Sequence, residues 1–175
     1  MNKLLVHICC CHCAAFTLRH FAEKFAVDAF WYNPNIAPND EYNMRLAAMR
    51  SYASACKIPL IEDDEHDYND YISRQYKASE RCEYCLHYRL SAAARYAKSN
   101  GYDAFSTSLL ISPHQKHNLL KSAGQQVSLE IGLPFVYEDL RKHYSKSRAI
   151  TRSLELYVQR YCGCLLSKNE TLSVF

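Results

Sequence analysis

The stretch from Lys3 to Ile8 is apolar without polar alternation, the pattern of a strand buried on both faces, and it runs straight into Cys9-Cys10-Cys11-His12-Cys13. A strand of that kind needs helices on both sides of its sheet. Phe16, Leu18, Phe21 and Phe25 recur at helical spacing between Ala14 and Phe25, so the chain opens with a βα unit. Val27 to Tyr32 reads as a second strand, Asn33-Pro34-Asn35-Ile36-Ala37-Pro38-Asn39 as a loop, and Asp40 as the N-cap of a helix reaching Cys56. Ile58 to Ile61 is the expected third strand, followed by the acidic stretch Glu62 to Asp67 and a Tyr-rich segment whose structure the pattern does not assign. A helix from Glu83 is carried by Leu86, Leu90, Ala94 and Ala97 and stopped at Gly101. Asp103 to Thr107 is the fourth strand, Pro113 opens a helix reaching Ile131, Pro134 to Tyr137 is a fifth strand, and Arg148 to Arg160 the last helix. This alternation predicts one α/β domain over residues 1–175, with a parallel sheet of about five strands, right-handed crossovers and helices on both faces.

In an open sheet of this kind, ligands bind at the carboxyl ends of the strands, and the loop after the first strand is the usual contributor. Where such a loop cradles phosphate it is rich in glycine, because bare backbone N–H groups must approach the oxygens. The four glycines of this chain lie at 101, 124, 132 and 163, none of them in that loop. Thiols stand there instead. Two further groups, Cys82-x-x-Cys85 at a helix start and Cys162-Gly163-Cys164 near the end, bring seven of the nine cysteines into three tight sets. Sulfurs at such spacings can face one metal centre. Four of them, Cys9, Cys10, Cys82 and Cys85, would suit either a tetrahedral zinc or an iron–sulfur cluster, and Cys13, Cys162 and Cys164 exceed what a structural zinc site requires. Cys56 reads as a packing residue, and Cys11 as either a packing residue or a further ligand.

An odd cysteine count, no apolar leader and no apolar run near 18 residues point to a reduced, cytoplasmic, soluble protein without membrane contact. A net charge of +3 is too small to demonstrate a nucleic-acid partner. Its distribution says more, since Arg141, Lys142, His143, Lys146, Arg148 and Arg152 share one segment free of acids, a phosphate-contacting patch or a solvated helix face.

Several motifs taken together resemble the cobalamin-independent epoxyqueuosine reductases, the QueH family. They are His7-x-Cys9-Cys10-x-x-Cys13; Tyr32-Asn33-Pro34-Asn35-Ile36 with Glu41-Tyr42 and Arg45; Arg81-Cys82-x-x-Cys85 with Arg89-Leu90; Thr107-x-Leu109-Leu110-x-Ser112-Pro113; Arg141-Lys142; and Gln159-x-Tyr161-Cys162-Gly163-Cys164. They span nearly the whole chain in order. The resemblance implies a Rossmann-like fold of the PP-loop (nucleotide α-hydrolase-like) type and the last step of queuosine synthesis on tRNA, reduction of the epoxide of epoxyqueuosine at the wobble position. It also implies a [4Fe-4S] cluster, for which Cys9, Cys10, Cys82 and Cys85 are the expected ligands, with a second metal or redox element beside it. The family's usual Ala-Pro between the first cysteines is here Cys11-His12.

Turning an epoxide into an alkene with loss of water takes two electrons and two protons, whereas a cluster passes one electron at a time. Cys13, Cys162 and Cys164 are therefore the expected second element, as ligands of a mononuclear iron acting as Lewis acid or, for Cys162 and Cys164, as a dithiol relay. His7, Glu41, Asp139 and Tyr144 are candidate proton donors, each equally open to a structural role, which for His7 is hydrogen bonding to backbone at a strand end. Arg141, Lys142, Lys146 and Arg148 are the expected RNA contacts, with at most about four of the fourteen tyrosines as stacking surfaces. Asn33 and Asn35 suit loop turns better than base reading. The partners expected are tRNA carrying epoxyqueuosine and an electron donor. Two other classes stay open: an iron–sulfur tRNA sulfur transferase, which would need an ATP-binding glycine loop, and a zinc-stabilised RNA-binding module without catalysis.

Overall fold

The structure, a computed structural model, describes residues 1–63, 68–78 and 80–172. Its centre is a parallel four-stranded sheet in the order β3-β2-β1-β4, formed by β1 (Lys3–Ile8), β2 (Ala26–Trp31), β3 (Leu60–Glu62) and β4 (Ala104–Thr107). β1 is central, pairing with β2 from Lys3↔Ala26 to Ile8↔Trp31 and with β4 from Leu4↔Ala104 to His7↔Thr107. Leu4, Leu5, Val6 and Ile8 are fully buried, as a strand covered on both faces requires.

α1 (Cys11–Ala22) and α2 (Asn39–Cys56) follow β1 and β2 and pack against each other, while α4 (Arg81–Ser99) follows β3 and packs on β1, β4 and α5 (His117–Ile131). The chain steps from β1 to β3 in one direction and returns to β4 in the other. With right-handed crossovers, α1 and α2 must therefore cover one face and α4 the opposite one. The point of reversal, between β1 and β4, is where a Rossmann-like sheet opens a crevice at its carboxyl edge.

Several expectations are corrected in detail. The fifth strand is reduced to a single parallel bridge, Phe105↔Phe135, although the Phe105 amide donates to the Pro134 carbonyl at 3.0 Å and the Val136 amide to the Phe105 carbonyl at 2.9 Å. The sheet thus has four strands. α5 packs so closely on this segment that a Cβ at Gly124 would come within 2.1 Å of the Phe135 ring. Pro38, not Asp40, occupies the cap position of α2, and no side chain closes that cap. α4 begins at Arg81, before Glu83, because the Glu80 carboxylate accepts from the Cys82 amide. The helix expected from Pro113 starts only at His117, after a 3-10 turn over Ser108–Ile111. The Tyr-rich segment contains α3 (Tyr68–Lys77), whereas residues 64–67 of the acidic stretch lie outside the described residues. The last helix, expected over Arg148–Arg160, is instead α6 (Tyr144–Ser153), with Glu155 at φ 52° just after it, and a further helix, α7 (Leu165–Leu172), follows the last cysteine group. Among the described residues no helix is long and apolar enough to cross a membrane.

Candidate metal centre

Cys10 ends β1's loop as the N-cap of α1, with an extended backbone and its sulfur accepting from the Cys13 amide at 3.4 Å. One helical turn thereby folds Cys13 back over Cys9 and Cys10, and the three sulfurs lie within 4.8 Å of one another. Cys9 and Cys10 are 3.7 Å apart. All three residues are buried at the carboxyl end of the central strand. The trio shares its protons unequally. Hydrogen bonding with Cys10 and Cys13 holds Cys9 well below the usual thiol range, whereas burial raises Cys10, and Cys13 rises through its bonds to Cys10 and Cys9.

The walls around the trio come from distant parts of the chain. His7 is buried beneath it, Nδ1 3.0 Å from the Thr107 hydroxyl and Nε2 3.1 Å from the Tyr32 carbonyl. Burial, with the Arg89 charge second, lowers its pKa to about 3, so the ring stays neutral. Asn33 donates to the Ile8 carbonyl at 2.8 Å and ties the loop after β2 to the end of β1, the turn-holding role its sequence position favours. Gln159 Nε2 donates to the Cys10 sulfur at 2.8 Å.

Cys82 and Cys85 occupy the first two turns of α4, both half-buried. Among the described residues they do not join the close trio, which recruits Cys13. Cys85 accepts from Arg89 Nη1 at 3.6 Å, one helical turn along. The third group lies between α6 and α7, with Cys162 exposed at the rim and Cys164 buried. Gln115 Nε2 donates to Cys162 Sγ at 3.7 Å. Arg45, fully buried, donates from Nε to Glu41 at 2.7 Å, from Nη1 to the Cys162 carbonyl at 3.1 Å and from Nη2 to the Tyr161 carbonyl at 2.9 Å. The expected proton donors divide accordingly: Glu41 is held by Arg45 and by the Tyr157 hydroxyl at 2.6 Å, and Asp139 by Arg141. The Tyr144 hydroxyl makes no hydrogen bond among the described residues. Burial, then the Cys13 sulfur, raises its pKa.

α6 docks on α1 through Ser147, which donates to the His12 carbonyl at 2.6 Å and accepts from the Phe16 amide at 3.1 Å. That contact brings the basic segment beside the first cysteine group. Arg141, Lys142, Lys146 and Arg148 are all exposed, and Arg141 is already paired with Asp139 at 2.9 Å. Cys11 is a buried packing residue, and burial pushes its thiol up to about 12; Cys56 packs half-buried beside Arg19.

The donor set suits a metal group. Three soft thiol ligands converge in a buried cup at the sheet's ligand-binding edge, and a fully buried cation, Arg89, stands near with Nε and Nη2 unpartnered among the described residues. The cysteine spacing signalled Cys9, Cys10 and Cys13 as candidates but not that Cys13, and not Cys82 or Cys85, closes on the other two. Arg89 carried a weaker signal, its i+4 relation to Cys85 on one helix face, and Gln115 carried none.

Residues 4–170 match the family model described as epoxyqueuosine reductase QueH. A protein of Dehalococcoides mccartyi named epoxyqueuosine reductase QueH is 44% identical over 170 residues, which make up 96% of this chain and 93% of that protein. A Thermotoga maritima protein of the same name is 29% identical over 177 residues, 95% of this chain and 91% of that one. Among solved structures, a predicted subunit of tRNA methyltransferase from Methanocaldococcus jannaschii superposes with a TM-score of 0.52 at 12% identity, covering 87% of this chain and 76% of that chain, and so shares the fold. With a match that runs from the first strand through the last cysteine group, the chain belongs to the epoxyqueuosine reductase QueH family.

Proposed function

We propose that the chain is a cytoplasmic epoxyqueuosine reductase, removing the epoxide oxygen of epoxyqueuosine at the wobble position of tRNA to leave queuosine. The observation that carries this reading is the buried trio of Cys9, Cys10 and Cys13 at the carboxyl end of β1, in a chain that the family model covers almost end to end. The oxygen departs as water, which consumes two electrons and two protons. Cys9, Cys10, Cys82 and Cys85 would hold a [4Fe-4S] cluster, and Cys13, Cys162 and Cys164 an adjacent mononuclear iron or, without a second metal, a redox-active pair. Such a centre supplies electrons singly, drawn from a separate donor, and a Lewis acid for the oxygen.

The remaining tasks fall to side chains. Tyr144 is the proton donor this arrangement favours: its hydroxyl stays protonated beside Cys13, whereas His7, Glu41 and Asp139 are engaged elsewhere. Exposed Lys142, Lys146 and Arg148 flank Tyr144 on the same segment and suit the phosphates of an anticodon loop, with Arg141 contributing less because Asp139 neutralises it. The sulfur-transferase alternative is disfavoured because no glycine stands in the loop after β1. Anaerobic purification with iron, sulfide and zinc analysis, followed by incubation with epoxyqueuosine-containing tRNA and nucleoside mass spectrometry, tests the reading. Iron, sulfide and newly formed queuosine are expected. Zinc without iron, and unchanged epoxyqueuosine, would return the chain to a zinc-stabilised RNA-binding module.

A further inference from the structure

Arg89 is 2% exposed, yet only one of its three nitrogens has a partner, Nη1 on the Cys85 sulfur at 3.6 Å. A guanidinium cannot shed its proton to escape burial, so a fully enclosed one must be held by opposite charge and by acceptors for its N–H groups. No carboxylate supplies that here among the described residues. The sulfurs near enough to act on its charge are those of Cys85, Cys9 and Cys162, from three separate stretches of chain, and each favours the cation once it is a thiolate, as a metal ligand is. The two unpartnered nitrogens thus sit where the three cysteine groups meet.

We propose that Arg89 is the fixed cation of the cysteine centre, Nε and Nη2 donating to the sulfurs assembled there and making the centre easier to reduce. This rests on the iron–sulfur reading given above. Each electron added to a thiolate-ligated cluster adds negative charge. A permanent positive charge and N–H···S bonds stabilise the reduced form more than the oxidised one, which raises the reduction potential. Arg89 touches no reacting atom in this account and is a positioning residue.

The test compares anaerobically reconstituted wild type with Arg89→Met, which removes the charge at similar length, and Arg89→Lys, which keeps the charge and loses the forked donors. Circular dichroism reports the fold, iron and sulfide analysis the cluster, and a mediated redox titration followed by electron paramagnetic resonance the midpoint potential. The expected result is a more negative potential in Arg89→Met at undiminished iron, with Arg89→Lys between it and wild type. An unchanged potential in Arg89→Met at equal iron would overturn the proposal alone. Loss of the fold, or of the cluster, in both variants would also overturn it, in favour of a packing role. A wild-type protein without iron and sulfide would instead fail at the first measurement and overturn the iron–sulfur reading together with this one.

Discussion

The Arg45 guanidinium, anchored in α2, donates to the backbone carbonyl of Cys162 at 3.1 Å, joining residues 117 positions apart. The same side chain reaches the Tyr161 carbonyl and lies over the Tyr161 ring at 5.3 Å, while Glu41 neutralises it. The segment between α6 and α7 has no regular structure of its own, so this buried cation fixes where the Cys162–Cys164 pair stands relative to the first cysteine group. Arg45→Met would leave the buried Glu41 carboxylate without its cation and with only the Tyr157 hydroxyl, and breaking comparable buried ion pairs costs about 3–5 kcal/mol. Chemical denaturation should register that loss. Limited proteolysis should cut the variant between residues 154 and 164 at denaturant concentrations where wild type resists, and equal resistance would mean that the segment is held by other contacts.

Holding the centre and using it are separable. Replacing Cys9, Cys10, Cys82 or Cys85 with Ala should lower iron and sulfide per chain, whereas Cys162→Ser and Cys164→Ser should keep the visible absorbance and lose formation of queuosine. Iron analysis of the last two then distinguishes their role: loss of about one iron per chain supports the mononuclear site, and undiminished iron supports a dithiol relay. Activity in both serine variants would reduce the pair to a structural part. Retention of the full cluster in any of the alanine variants would remove that cysteine from the ligand set.

The basic face of α6 yields a graded expectation. Because Arg141 is committed to Asp139 while Lys146 and Arg148 are exposed without such a partner among the described residues, removing the latter should weaken tRNA binding more. For every phosphate ion pair removed, the salt dependence should flatten by about 0.7–0.9 in the slope of log K against log salt concentration. Titrations of Lys146→Ala, Arg148→Ala and Arg141→Ala at several salt concentrations check the order. Identical slopes in all three would return the segment to an ordinary solvated face.

What the sequence revealed divides by range of interaction. The strands and the α1 and α4 helices were readable because their apolar periodicity is local, and the loop after β1 was readable as a site because thiols replaced the glycines expected there. The fifth strand was misjudged: Pro134 to Tyr137 has strand-like residues, but the close approach of Gly124 to the Phe135 ring and the short edge of β4 leave it one bridge. The end of α6 at Ser153, short of Arg160, was invisible for a related reason. Tyr157, Gln159 and Tyr161 spend their polar ends on Glu41, Cys10 and the Ala37 carbonyl, partners too distant in sequence to be anticipated. Grouping Cys13 with Cys9 and Cys10 likewise required the α1 cap, in which the Cys10 sulfur, not a serine or aspartate oxygen, receives the Cys13 amide.

Gly163 tests whether the terminal pair must be held in one geometry. Its φ of 135° lies where only glycine is comfortable, and a Cβ there would stand 3.1 Å from the Asn35 side-chain nitrogen and 3.2 Å from Ile36. Its carbonyl accepts from the Ala37 amide at 3.0 Å, so the turn cannot simply move outward without breaking that bond. Gly163→Ala therefore combines backbone strain of about 1–3 kcal/mol with a push against the loop after β2. The sheet is remote from this strain and should keep its circular dichroism, while cysteines 162 and 164 shift relative to Arg45. Queuosine formation should fall at least tenfold, because reacting groups displaced by an ångström lose orientation more than stability. Full activity in Gly163→Ala at wild-type iron content would show that the pair works without a fixed position.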